Sequence, residues 1–270
     1  MSHNGADEQR LRDTLAGIKK TLVVLSGKGG VGKSTVAVNI AAGLAMKGFS
    51  TGLLDSDLHG PSVAKMLGME EVSTRGDDTH IQPVETFDGR LKVMSVQFLL
   101  RAMHDSVIWR GPLKHAVISQ LIGHTVWGDI DFLVVDSPPG TGDEPLSVVQ
   151  TAHPDGAIIV TSPQDVATFD VRKSIDFCAK LDLPIVGIIE NMSGFVCPAC
   201  NTITNIFGSD GGKNMAEELG IAFLGKIPID PHFVSISDAG AVYVEDSRDS
   251  AAKDVILKIV DSLVESTTNA

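Results

Sequence analysis

The decapeptide Ser26-Gly27-Lys28-Gly29-Gly30-Val31-Gly32-Lys33-Ser34-Thr35 constrains this chain more than any other stretch. It follows the apolar, β-branched run Thr21-Leu22-Val23-Val24-Leu25. It precedes Val36, Ala37, Ile40, Ala41, Leu44 and Ala45, whose spacing predicts a helix. Strand, glycine-rich loop and helix in that order form the context a phosphate-binding loop requires, and Gly27, Gly32, Lys33 and Ser34 satisfy G-x-x-x-x-G-K-[ST]. Glycines let backbone N–H groups turn inward around phosphate oxygens, and the helix N-terminus behind them carries about half a positive charge. Lys33 is expected to neutralise the β- and γ-phosphates of a nucleotide and Ser34 to ligate Mg²⁺, with the whole run 27–35 wrapped around the ligand. Lys28 is an extra lysine on the near limb of the loop, and as a lone residue it reads equally as a solvated surface charge.

The remaining chain alternates apolar strands with helical segments. Runs at 51–54, 91–96, 131–136, 157–161, 185–189 and 222–227 read as further strands, and helices are expected over 112–123, 165–181 and 250–263. The fold class is therefore α/β, a doubly wound and mainly parallel sheet of about seven strands in one domain over 19–265. Residues 1–18 read as a mobile or loosely docked helical arm, 191–207 as a loop carrying cysteines, and 266–270 as a tail. Ligands in such folds sit at the carboxyl ends of the strands.

Several carboxylates follow strands. Asp136 ends an apolar strand, where it would hold Mg²⁺ opposite Ser34; the plainer reading is a strand-end aspartate capping a turn. Asp55 and Asp57 end another strand, and two carboxylates so close repel unless a cation lies between them. One would help place Mg²⁺ and the other orient the attacking water, against the alternative of two solvated turn residues. Cys197-Pro198-Ala199-Cys200 offers two thiolates to one centre. Zinc, an iron–sulfur cluster and a redox dithiol all suit a C-x-x-C pair, and closing a four-ligand site would take a second chain on a two-fold axis. Cys178, set among Ile175, Phe177 and Leu181, reads as core, and the eight histidines show no ligand spacing.

Charge and composition narrow the partners. A net charge of −12 argues against broad nucleic-acid binding, and no apolar run is long enough to span a membrane. Residues 1–17 carry neither a secretory apolar core nor an acid-free, Arg-rich pattern, so a cytosolic protein with reduced cysteines is expected.

Two resemblances sharpen these expectations. K-G-G-V-G-K-S-T (28–35) resembles the deviant Walker A loop of the MinD/ParA and nitrogenase-iron-protein class, which implies that Lys28 reaches the nucleotide of the partner subunit in a dimer. D-S-D-L-H-G-P-S (55–62) looks like the switch I of that class and favours Asp57 as the residue that positions water. With W-R-G-P (109–112), D-S-P-P-G-T-G-D (136–143), E-N-M-S (190–193) and C-P-A-C (197–200), these motifs stand in the order of the Mrp/ApbC family, with its Nbp-, Cfd- and Ind-type members. The likeness spans about residues 18–264. It implies a slow ATPase, working with Mg²⁺ as a switch, whose homodimer holds a [4Fe–4S] cluster through Cys197 and Cys200. The cluster would come from an upstream scaffold and pass to apo iron–sulfur proteins. Lys28, Lys33 and Asp57 would act in hydrolysis, and Asn191 and the Ile227–Asp230 turn, with Pro228 and Asp230, would flank the adenine. No cysteine precedes residue 178, so no second, ferredoxin-like site is expected. The competing readings are a MinD/ParA-type positioning ATPase acting on a membrane or DNA, a zinc-stabilised ATPase with no cluster role, and a reductase like the nitrogenase iron protein.

Overall fold

The computed structural model describes residues 3–77, 79–99, 111–197, 200 and 202–268; Trp109, Arg110, Pro198 and Ala199 of the quoted motifs lie outside them. In chain order the elements are α1 (His3–Ala16), β1 (Ile18–Leu25), α2 (Lys33–Met46), β2 (Thr51–Asp55), α3 (Val63–Met66), β3 (Val84–Thr86) and β4 (Leu91–Ser95). There follow α4 (Gly111–Gly123), β5 (Ile130–Asp136), α5 (Asp143–Ala152), β6 (Gly156–Thr161), α6 (Asp165–Lys180) and β7 (Ile185–Val196). The chain continues with β8 (Ile203–Thr204), α7 (Gly211–Leu219), β9 (Phe223–Ile229), α8 (His232–Asp238) and α9 (Ala251–Thr268).

Seven strands pair in parallel in the order β4-β2-β5-β1-β6-β7-β9, as the sequence pattern anticipates. Two short antiparallel strands add to them: β3 along β4, and β8 along the far end of β7. Right-handed crossovers fix the faces. The β1-α2-β2 unit steps one way across the sheet, whereas β5-α5-β6, β6-α6-β7 and β7-α7-β9 step the other way, so α2 lies on one face and α5, α6 and α7 on the opposite one. Strands covered on both sides carry unbroken apolar runs; Val23, Val24, Leu53, Leu54, Val134 and Val135 are fully buried. Helix α2 is apolar almost all round because α9 covers its outer side, and a Cβ on Gly43 would meet Val260 at 2.8 Å. Leu11 and Leu15 of α1 pack on the core, and Thr14 donates to Gly123 O at 3.0 Å.

Three local expectations are corrected. Glu190–Gly194 is not a turn: β7 continues through it to Val196, with Met192 at φ 59°, Gly194 at φ 81° and a register shift between Asn191 and Phe195. The polar, glycine-containing sequence supplies a bulge, which bends a strand without ending it. Ile227–Ile229 likewise belongs to β9, because this strand pairs on one side with β7 alone and Pro228 can face outward without breaking a ladder. Helices α3, α5, α7 and α8 were not anticipated; three of them have nine residues or fewer, too short to show a period.

Candidate functional site

Parallel strands bring their carboxyl ends to one rim, and the phosphate-loop residues sit there at the end of β1. Gly30 and Gly32 turn the loop with φ of 79° and 81°, a conformation that costs any side-chain-bearing residue about 1–2 kcal/mol. Ser26 fastens the loop: its hydroxyl donates to Lys28 O at 3.0 Å and its carbonyl accepts from Gly140 N at 2.8 Å. Gly27 backs closely on α6, where a Cβ would lie 2.3 Å from Asp170 O. Gly29 and Gly30 are exposed, Val31 is buried, and Ser34 and Thr35 are partly buried at the start of α2. Lys28 extends to Gln164 Oε1 at 3.4 Å.

Lys33 is buried and forms an ion pair with the fully buried Asp136, while its Nζ lies 3.3 Å from Ser34 Oγ. Asp55 and Asp136 are register partners on adjacent parallel strands, so the two carboxylates stand on one face of the sheet. Asp55 Oδ2 accepts from Ser62 N at 3.1 Å, Val63 N at 3.2 Å and Ser95 Oγ at 3.2 Å, and Oδ1 accepts from Asp57 N at 3.2 Å. Burial, then the charge of Asp136, pushes Asp55 up to about 7 despite these donors. Burial likewise raises Asp136, against the pull of Lys33, and the Asp57 charge adds to the rise. Asp57 Oδ1 accepts from the N–H groups of His59 and Gly60 at 3.2 and 3.0 Å, which fixes the loop it begins.

These carboxylates fit a hard divalent cation. Asp136 Oδ2 is buried with no hydrogen-bond partner among the described residues. An acceptor in that condition costs about 1–3 kcal/mol unless a cation or its water satisfies it. No group of three or more His, Cys, Asp or Glu side chains closes around one point among the described residues. Magnesium does not need such a cage, since it commonly uses one or two carboxylates, water and the substrate's phosphates. Ser34, Asp55 and Asp136 would hold it.

Beside the loop lies a cavity of about 320 Å³ lined by Gly32, Thr35, Met66, Asn191, Met192, Pro228, Ile229, Asp230, Phe233, Val234, Ser237 and Asp238. Its mostly apolar wall suits a purine base. Asn191, Pro228 and Asp230 are thus gathered with the phosphate loop; Met66, Met192, Phe233 and Val234 were missed. Asn191 Nδ2 donates to Val31 O at 2.9 Å, and Gly32 is glycine because a Cβ would stand 2.2 Å from that nitrogen. The Asp230 carboxylate is engaged by Tyr243, by Ser250 Oγ at 2.8 Å and by His232 N at 2.9 Å. Burial pushes it up, but these donors outweigh burial and hold it below the usual aspartate range.

Cys197 and Cys200 stand apart from this cluster, beyond the end of β7. Phe195 and Val196 pair with Thr204 and Ile203, and Cys197 N donates to Thr202 O at 3.0 Å, so the pair sits on a hairpin tip. Cys197 is half-buried and Cys200 exposed, whereas Cys178 is sealed in the core. Cys200 Sγ lies 3.2 Å from Thr202 Oγ1, and hydrogen bonds from Thr202 and from Cys197 draw its thiol below the ordinary range. Ile203 and Ile206 are exposed beside it, at 68% and 55%.

Comparison with known proteins places the chain among its relatives. Residues 17–264 match the model of the NUBPL iron-transfer P-loop NTPases. An iron–sulfur cluster carrier protein of Methanocaldococcus jannaschii is 48% identical over 259 residues, covering 96% of this chain and 88% of the relative. The cytosolic Fe–S cluster assembly factor CFD1 of Saccharomyces cerevisiae is 51% identical over 229 residues, covering 83% and 78%. Among solved structures, a nucleotide-binding protein of Archaeoglobus fulgidus in complex with ADP superposes with a TM-score of 0.77 at 39% identity, over 87% of this chain and 92% of that one. MinD of Aquifex aeolicus shares the fold, with a TM-score of 0.68 at 21% identity over 91% and 97%.

Proposed function

The chain belongs to the NUBPL iron-transfer P-loop NTPases, and from that premise we propose that it is an ATP-driven iron–sulfur carrier whose homodimer holds a [4Fe–4S] cluster and delivers it to apoproteins. The observation that carries the reading is the hairpin at the end of β7 with its half-buried Cys197 and exposed Cys200, on the strand that also supplies Asn191 to the phosphate loop. A cubane cluster takes four thiolates, so two such tips meeting on a two-fold axis complete it. The exposed Ile203 and Ile206 would then shield it from water.

In this reading the adenine occupies the cavity between Asn191, Pro228 and Phe233, and the loop 27–35 grips the phosphates. Lys33 exchanges its partner Asp136 for the β- and γ-phosphates, and Lys28 reaches across to the partner's nucleotide. Ser34, Asp55 and Asp136 would hold Mg²⁺, which would supply charge neutralisation at the phosphates. Asp57 orients a water whose oxygen bonds to the γ-phosphorus as the bond to the β-bridging oxygen breaks, giving ADP and phosphate. Because the nucleotide acts as a switch, hydrolysis is slow. Apoprotein recipients, an upstream donor and a cytosolic setting belong to the same proposal, and the names of the relatives support it. Among the described residues no helix is long and apolar enough to cross a membrane.

Anaerobic reconstitution with iron and sulfide tests this. The expected product is a dimer with a sulfur-to-iron charge-transfer band and about two iron atoms per chain. Cys197→Ser and Cys200→Ser lose the band and keep ATP binding. A monomer, or a chain that takes up zinc and no iron, overturns the proposal.

A further inference from the structure

Adjacent residues on β7 hold two different parts of the molecule. Asn191 is tied to Val31 O of the phosphate loop. Glu190, fully buried, holds the point where the cysteine segment returns to the body. Its Oε2 accepts from Gly212 N at 2.7 Å, and its Oε1 accepts from Asp210 N at 3.1 Å and from Ser193 Oγ at 2.5 Å. These are the N–H groups at the start of α7, whose own cap residue, Asp210, makes no side-chain capping bond. A carboxylate placed there satisfies free helix donors and meets the positive end of the helix dipole. Lys226, the register partner of Glu190 on β9, ion-pairs with the Asp210 side chain. The close approach is built in, since a Cβ on Gly212 would meet Thr161 at 2.9 Å and Glu190 Cβ at 3.3 Å.

The cysteine segment is therefore anchored at both ends on one stretch of β7. Its entry is the strand itself, and its exit is clamped by Glu190. The bulge at Met192 and Gly194 lies between the nucleotide contact and the cysteines. We infer that Glu190 is a positioning residue that transmits nucleotide occupancy to the cysteine pair: a shift of Asn191 as ATP enters moves its neighbour, and the clamped α7 carries the exit of the hairpin with it. This deepens the carrier reading above and rests on it for its biological sense.

The test uses the full-length, metal-free chain and the alkylation rate of Cys200 by iodoacetamide, with and without Mg²⁺-ATP. The native chain is expected to change its rate about fivefold or more with nucleotide. Glu190→Gln keeps the volume but turns an NH₂ group toward a backbone donor. It should bring the two rates to within about 1.5-fold while the ATP dissociation constant stays within about twofold. A merely structural role would alter both rates alike and leave their ratio intact. Ser193→Ala, which removes one donor and leaves both helix N–H bonds, should fold normally and show an intermediate ratio. An unchanged ratio in both variants, or no nucleotide response in the native chain, overturns the inference. Labelling reads the chain without a cluster, so its failure leaves the cargo reading standing, and failed reconstitution leaves the labelling result standing.

Discussion

Replacing Asp55 by Asn should stabilise the metal-free protein at alkaline pH while removing its Mg²⁺-dependent turnover. Between the ordinary aspartate value of 3.8 and about 7, the folded chain holds a proton on Asp55 that the unfolded chain has lost. Stability therefore falls as pH rises through that window. The interval corresponds to a penalty of about 4 kcal/mol at full deprotonation. Asn removes the charge, but its NH₂ must face either Asp57 N or the donors on the other oxygen, which returns about 1–3 kcal/mol. The net gain at pH 8 is about 1–3 kcal/mol, a rise of several degrees at about 2–4 °C per kcal/mol. At about pH 3.5 most unfolded chains hold the proton as well, so the advantage nearly vanishes and the unmatched NH₂ leaves the variant the less stable. Scanning calorimetry in chelator at the two pH values reads this crossing. A gap between the two proteins that does not change with pH would refute the reasoning, since it would mean that no charge is held against its will beside Asp136.

Three further outcomes follow from the same geometry. Gly32→Ala meets both a left-handed φ and the Asn191 amide 2.2 Å away; it should weaken ATP binding about tenfold or more, read by calorimetric titration, and unchanged affinity would place the nucleotide elsewhere. Val234→Asp, on an exposed residue of the cavity wall, should lower affinity for a fluorescent ATP analogue about tenfold and shift the melting temperature by about one degree or less. Lys28→Ala should leave ATP binding within about threefold but cut turnover about a hundredfold, as loss of a transition-state contact does; equal losses in both would make Lys28 a ground-state ligand.

The parts of the molecule legible in the sequence are those whose chemistry is local. The loop 26–35, the strand-end position of Asp136 and the C-x-x-C pair each declare themselves within ten residues, and unbroken runs such as Leu133-Val134-Val135 mark strands buried on both faces. The cavity beside the phosphate loop was legible only in Asn191, Pro228 and Asp230, because Phe233 and Val234 come from a seven-residue helix and Met66 from a four-residue one. The extension of β7 was hidden by its composition. Glu-Asn-Met-Ser-Gly looks like a turn, and only pairing with β8 and β9 keeps it extended through the bulge. Glu190 gave no signal of its own, since the amides it holds lie some twenty residues downstream.

The hairpin tip beyond β7 carries two soft donor atoms, on the half-buried Cys197 and the exposed Cys200, while the third cysteine of the chain is walled off in the interior. Two donors from one chain cannot saturate a centre that prefers four, so a cluster shared between two such tips would have half its ligands from each chain. Parting the two chains would then be enough to surrender the contents, without either fold having to open.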